Sequence, residues 1–169
     1  MSIEFIIAGW IFALAVSLHN LEEARYLPAW SHGGSRWQRP VGVREFRFAV
    51  IILTLWLYAL NLWAARSEAG SLPVYLLAGY AFAMLLNVFI PHVVMTVLLR
   101  RYMPGLATGL LCILPAAVGL IHVGLRSGTL SLDRLIWVGP LTALGLLLSL
   151  PILLELGRRI FPTPVVELS

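Results

Sequence analysis

Long apolar segments separated by short polar connections dominate the hydrophobic pattern of this chain. Five segments stand out, over residues 3–26, 45–65, 72–99, 105–125 and 135–156. Each is close to the roughly 20 residues that an α-helix needs to cross the hydrocarbon core of a bilayer. Because backbone polar groups in lipid must be satisfied within their own segment, the pattern predicts five transmembrane helices and not strands.

The composition agrees with a protein that lies mostly in lipid. Of the 169 residues, 60% are hydrophobic and only 12% are charged, whereas about a quarter of the residues in soluble domains are charged. We therefore expect an all-α, polytopic helical bundle that forms a single transmembrane domain over residues 1–169, in the plasma membrane or cell inner membrane. The single cysteine, Cys112, excludes a disulfide within the chain and a zinc site built from cysteines.

The twelve basic residues are all arginines, and they lie between the apolar segments. Topology signals and lipid-headgroup contacts have this distribution, so we expect membrane lipids and not nucleic acid as partners. Five spans put the termini on opposite sides, with nine arginines on the C-terminal side and three on the other. The positive-inside rule then predicts an external N-terminus, a cytoplasmic C-terminus and a cytoplasmic loop over residues 27–43.

The first span carries the most informative polar residues, in the run His19-Asn20-Leu21-Glu22-Glu23. Helical spacing puts His19, Glu22 and Glu23 at i, i+3 and i+4, on one face. Three ionisable groups inside a membrane helix need compensating partners or a function, because each is costly to bury in lipid. A solvated helix end is the alternative, but His19 lies about 10 Å inside the predicted cytoplasmic end.

A second polar stretch lies in the third span, Asn87-Val88-Phe89-Ile90-Pro91-His92. His92 is close to the depth of His19, so the two imidazoles are expected to converge; a hydrogen-bonded packing histidine is the alternative. On a straight helix Asn87 and His92 would lie about 140° apart and would not share a face. Pro91 removes a backbone hydrogen bond, and a bend there could turn both toward one cavity.

These residues together resemble a known family. The run His19-x-x-Glu22-Glu23, followed by an Asn and a His in a later span, looks like the HXXEE domain family of small bacterial integral membrane proteins. The resemblance extends from the first span through the third. It implies enzymatic work for five positions, namely His19, Glu22, Glu23, Asn87 and His92.

The same side chains are sufficient for one metal ion. Imidazole and carboxylate suit zinc or iron, and a site with an open position for water is the catalytic form. We predict His19, Glu23 and His92 as metal ligands and Glu22 as the base that activates the bound water. Asn87 would stabilise a developing oxyanion. The chain offers fewer ligands than a di-iron bundle, which uses four Glu and two His.

The favoured function is metal-assisted hydrolysis of a lipid-like or prenyl-type hydrophobic small molecule near the cytoplasmic leaflet. A metal-free alternative uses one Glu as the proton donor and His92 as the acceptor, in an isomerase or cyclase. Intramembrane His and Glu also occur in proton relays, so a proton-coupled transporter is a third hypothesis. A fourth is an accessory or sensor subunit. The sequence is compatible with an oligomer.

Overall fold

Five long helices form the protein in the computed structural model, which describes residues 2–33 and 40–161. They are α1 (Ile3–Ser31), α2 (Val43–Ala65), α3 (Leu72–Leu99), α4 (Leu106–Arg126) and α5 (Leu132–Ile160). All are long and apolar enough to span a membrane, and within the described residues there is no strand. The expectation of an all-helical membrane bundle is confirmed, with helix ends that differ from the predicted ones by at most five residues.

The largest difference is at the end of α1, which was expected near residue 26 but continues to Ser31. Pro28 lies inside this helix and cannot donate a hydrogen bond to the carbonyl of Ala24. The Arg47 side chain on α2 replaces that bond, with Nε 3.2 Å from the Ala24 oxygen. The predicted loop over 27–43 is therefore wrong at its start. Residues 34–39, which include two of the nine arginines counted above, lie outside the described residues.

Packing between the helices is built around α1 and the first part of α3. Helix α1 packs against α2 and α4, while α3 packs against α5, α2 and α4. Large, fully buried side chains fill the space between them, among them Phe5, Phe12, Leu57, Leu77, Ile113 and Leu120. Helix α5 lies at the periphery, and about half of its leucines are exposed. The buried face of α1 thus brings the polar run that begins at His19 into the bundle.

Polar contacts identify the two ends of the bundle. At one end Arg126 on α4 forms an ion pair with Glu4 on α1, at 3.2 Å. At the other end Arg158 on α5 lies 3.6 Å from the Glu45 carboxylate on α2. The described arginines of the predicted cytoplasmic side lie at this second end, where α1 ends and α4 begins.

Helix α3 is interrupted between Asn87 and Val94. The segment Val88–Val93 has wide π-type turns, and Ile90 leaves the helical region with φ −127° and ψ 104°. Regular α-helix resumes over Val94–Leu99. The break shifts the second part of α3 relative to the first, which changes which side chains can share a face.

Candidate metal centre

Helix α1 supplies the first two groups of a polar cluster inside the bundle. His19 is fully buried, and Glu23 follows one turn later with 13% of its side chain exposed. Because residues four apart lie on the same face of a helix, both side chains point toward α3. The Glu23 Oε1 atom is 3.7 Å from His19 Nε2.

The interrupted helix α3 supplies the other two groups. The break at Ile90 brings Asn87 and His92 together, although a straight helix would separate them. The Asn87 amide nitrogen is 3.1 Å from His92 Nε2 and 3.3 Å from His19 Nε2. The convergence of the two histidines, expected from their matching depths, is therefore present, and both rings are fully buried.

Three potential ligand atoms meet at this point. One ring nitrogen each of His19 and His92 and a carboxylate oxygen of Glu23 all lie within 4.8 Å of one another. His92 Nε2 is 3.1 Å from Glu23 Oε1. The two imidazole rings stand nearly perpendicular, at 89°, with centroids 5.0 Å apart. Two nitrogen donors and one carboxylate are thus arranged around a common position.

The other side of His19 contacts the start of α4. His19 Nδ1 lies 3.1 Å from the hydroxyl of Thr108, and that hydroxyl donates to Glu22 Oε2 at 2.6 Å. The backbone N–H of Thr108 also donates to Glu22, at 3.3 Å, and the Tyr102 hydroxyl donates to Glu22 Oε1 at 2.5 Å. Glu22 therefore faces α4 and does not join the ligand atoms of Glu23.

Tyr102 lies in the connection between α3 and α4 and is half-exposed. Partial burial, together with its hydrogen bond to the Glu22 carboxylate, raises the pKa of the Tyr102 phenol. Its oxygen also accepts a hydrogen bond from the backbone N–H of Ala107, at 3.1 Å. A phenol with a raised pKa remains a hydrogen-bond donor to Glu22 throughout the neutral pH range.

Gly105 covers the two imidazoles from the same connection. Its φ is +96°, in a region that favours glycine. A Cβ atom at this position would lie 2.5 Å from His92 Cε1 and 2.9 Å from His19 Cε1. The connection can approach the rings this closely only because residue 105 has no side chain.

Sequence reasoning found His19, Glu23, Asn87 and His92, which the structure brings together, and Glu22, which lies behind His19. Their catalytic and ligand roles stay predictions. It missed Tyr102, Gly105 and Thr108, none of which belongs to the acid-rich motif. The signal that could have found Thr108 is its place in the first turn of the fourth span, at the membrane end where His19 and His92 also lie.

One family model and one relative of similar length match this chain. A family model described as "Protein of unknown function with HXXEE motif" matches residues 10–120. The chain belongs to the HXXEE family. It is 32% identical over 151 residues to "Uncharacterized protein YrkK" of Bacillus subtilis (strain 168), an alignment that covers 89% of this chain and 96% of the relative. No solved structure matches this chain. In this HXXEE protein the His and the second Glu of the motif are the two that meet the later Asn and His.

Proposed function

We propose that this HXXEE protein is an intramembrane, metal-dependent hydrolase that acts on a lipid-like substrate. A divalent cation, zinc or iron, would be bound by His19, Glu23 and His92. The observation that carries the proposal is the convergence of two fully buried imidazole nitrogens and one carboxylate oxygen within 4.8 Å. Buried charges are stable only when they are paired or coordinate a metal.

The distances support a small cation with tetrahedral coordination. Ligand atoms at about 2.0–2.1 Å from a zinc ion are about 3.3 Å apart in a tetrahedron. Glu23 Oε1 lies 3.1 Å from one Nε2 and 3.7 Å from the other. Both distances from Glu23 to the imidazoles are therefore within a few tenths of an ångström of the tetrahedral value, and the three ligand atoms as a set lie within 4.8 Å.

The hydrogen-bond directions also favour a cation. The amide nitrogen of Asn87 donates only, so each Nε2 atom that it contacts presents a lone pair toward the cluster. Glu23 Oε1 presents another acceptor 3.1 Å from His92 Nε2. Such acceptor–acceptor contacts are unfavourable unless a positive charge lies between them. A metal ion would supply that charge and take over the lone pairs that Asn87 now contacts, and a proton shared by Glu23 and His92 would supply it as well.

The chemistry would need few further groups. A bound cation would lower the pKa of water at the site to about 7 and so supply a nucleophile near neutral pH. Asn87, whose amide nitrogen already faces the ligand atoms, would donate to the oxyanion that develops on a carbonyl or phosphoryl group during hydrolysis. The role of Glu22 as the general base remains a prediction. Three donors already occupy its carboxylate, and one of them would have to leave before it could accept a proton from water.

A lipid-like substrate is supported by the surroundings of the site. Phe89 and Ile90, beside His92, are 47% and 66% exposed, and Leu18 and Leu21, beside His19 and Glu22, are also exposed. In a membrane bundle these side chains would contact acyl chains. Glu23 and Asn87 are the partly exposed members of the cluster, so a substrate would approach from their side.

We further propose that the site faces the cytoplasmic leaflet, with the N-terminus outside. This rests on the arginine distribution, nine against three along the sequence. The test places single cysteines in a Cys112→Ala background and labels intact cells with a membrane-impermeant maleimide. Ser127→Cys is expected to react from outside and Arg100→Cys only after the cells are opened. The reverse pattern would refute the orientation.

Metal analysis tests the central proposal. We expect the wild-type protein, purified in detergent without chelators, to contain one zinc or iron ion per chain. His19→Ala and His92→Ala should lose it. His122→Ala is the matched control, because His122 is exposed near the opposite end of α4. Absence of metal from the wild-type protein, even after incubation with zinc, would refute the proposed metal centre.

One observation favours a metal-free second candidate, acid–base isomerisation or cyclisation of an olefinic lipid. The 3.1 Å contact of Glu23 Oε1 and His92 Nε2 could equally hold a proton. This candidate predicts no bound metal and activity that is resistant to chelators. A variant Glu23→Gln that keeps full activity would exclude both candidates.

A further inference from the structure

The contacts behind His19 form a continuous hydrogen-bonded chain from the surface of the protein to a buried imidazole. Half-exposed Tyr102 donates to Glu22 at 2.5 Å, Glu22 accepts from the Thr108 hydroxyl at 2.6 Å, and this hydroxyl lies 3.1 Å from His19 Nδ1. Successive groups in the chain come from different segments: Tyr102 from the α3–α4 connection, Glu22 from α1, Thr108 from the first turn of α4, and His19 again from α1. None of these contacts involves the proposed ligand atoms.

The direction of the chain follows from its donors. The Tyr102 hydroxyl and the backbone N–H of Thr108 both donate to the Glu22 carboxylate, and so does the Thr108 hydroxyl. Because the Thr108 hydroxyl donates its only hydrogen to Glu22, its oxygen can only accept a hydrogen bond from the ring of His19. The hydrogen of the neutral imidazole is then on Nδ1, and the lone pair is on Nε2.

We propose that Thr108 and Glu22 are positioning residues that hold His19 in the Nδ1–H form, with Nε2 presented to the cluster, and that Tyr102 fixes Glu22 in this position. The inference rests on the proposed function, since a free Nε2 is what a metal ligand needs. Metal-bound histidines usually donate their other N–H to a carboxylate, a carbonyl or water, and loss of that partner costs about 10- to 100-fold in metal affinity. Here a threonine hydroxyl links the imidazole to the carboxylate.

A simpler role for Glu22 is the capping of α4, because the first N–H groups of a helix lack partners within it. The backbone N–H of Thr108 does donate to Glu22. Thr108 distinguishes the two roles, because its backbone N–H is the group that Glu22 caps and its hydroxyl is the group that contacts the imidazole. Thr108→Val removes the hydroxyl and keeps both the backbone N–H and the side-chain shape.

The experiment measures the tautomer of His19 directly, in protein labelled with [¹⁵N]histidine and stripped of metal. The His19 signals are assigned by their absence from His19→Gln. In the wild type we expect a protonated Nδ1 and an unprotonated Nε2 in the neutral ring. Thr108→Val should give a mixture of tautomers and about 10- to 100-fold weaker zinc binding, while Thr108→Ser should retain both wild-type properties. Thr142→Val on α5, where Thr142 packs against Gly79, is the matched control.

The outcomes distinguish this inference from the proposed function. A wild-type tautomer in Thr108→Val would overturn the inference, whatever happens to zinc binding. A changed tautomer in a protein that binds no metal at all would support the positioning role and refute the metal centre. If Thr108→Val does not fold, Thr108→Ala removes the same hydroxyl with less bulk, and the same comparison with Thr108→Ser applies.

Discussion

Gly105 offers the sharpest test of how closely the site is packed. Substitution to alanine would introduce a Cβ atom 2.5 Å from His92 Cε1 and 2.9 Å from His19 Cε1. Ordinary contacts at such a position begin near 3.4 Å, so the His92 ring or the connection must move by about 1 Å. Metal sites tolerate errors of only about 0.2 Å in ligand distances. We therefore expect Gly105→Ala to lose zinc binding by at least an order of magnitude.

The stability cost can be divided with a matched variant. A non-glycine residue in the left-handed region costs about 1–2 kcal/mol, and forced overpacking adds about 1–3 kcal/mol. Gly70 has a φ of +75° but open space around its position, so Gly70→Ala incurs only the first cost. Gly105→Ala should be destabilised by about 2–5 kcal/mol and Gly70→Ala by about 1–2 kcal/mol.

The assay combines zinc titration with thermal unfolding in the same detergent. Gly70→Ala should bind zinc as the wild type does, because it lies at the opposite end of the bundle from the imidazoles. Wild-type zinc affinity in Gly105→Ala would refute the close packing described here. Equal loss of affinity in both variants would show that general destabilisation, and not displacement of the rings, is responsible.

Three further predictions concern contacts around the site. Asn20→Ala removes a 2.8 Å hydrogen bond to Thr54 between α1 and α2 and should cost about 0.6 kcal/mol of unfolding free energy, with zinc affinity unchanged. Glu45→Ala removes the side-chain cap on the N–H of Gly42 together with the half-exposed ion pair to Arg158, which contributes little, and should cost about 1 kcal/mol in thermal unfolding. The raised pKa of Tyr102 means that its hydrogen bond contributes stability below the ordinary pKa of tyrosine and loses it as pH rises through the raised value. The difference in stability between Tyr102→Phe and the wild type should therefore become smaller at alkaline pH. The variant should also lack one late-titrating phenol in the ultraviolet absorbance titration.

The membrane fold could be predicted from the sequence because lipid imposes a simple rule. Each span must be long, apolar and internally hydrogen-bonded, and five segments meet that rule. The end of α1 could not be predicted in the same way. Pro28 indicates a helix end when considered alone, and the replacement bond from Arg47 to the Ala24 carbonyl comes from another helix.

The parts of the site that belong to polar motifs could be predicted from the sequence, and the other parts could not. The depth of His19 and His92 follows from counting residues, and Pro91 indicates a bend. The direction of that bend, which decides whether Asn87 meets His92, depends on the conformation of Ile90 in its packed environment. Thr108 carries no charge that stands out in an apolar span, so its contact with His19 emerges only from the packing of α4 on α1.

The spacing of the motif explains why it contains two adjacent glutamates. At 100° per residue, Glu23 lies about 40° to one side of His19 around the helix, and Glu22 lies about 60° to the other. Glu23 is therefore directed to the side of His19 Nε2, where α3 brings His92. Glu22 is directed to the side of Nδ1, where α4 begins with Thr108. One histidine between two carboxylates can thus present Nε2 to a cation while Nδ1 donates to Thr108, which is held by Glu22. An exchange of roles between the two glutamates would require the helix to rotate by about 100°.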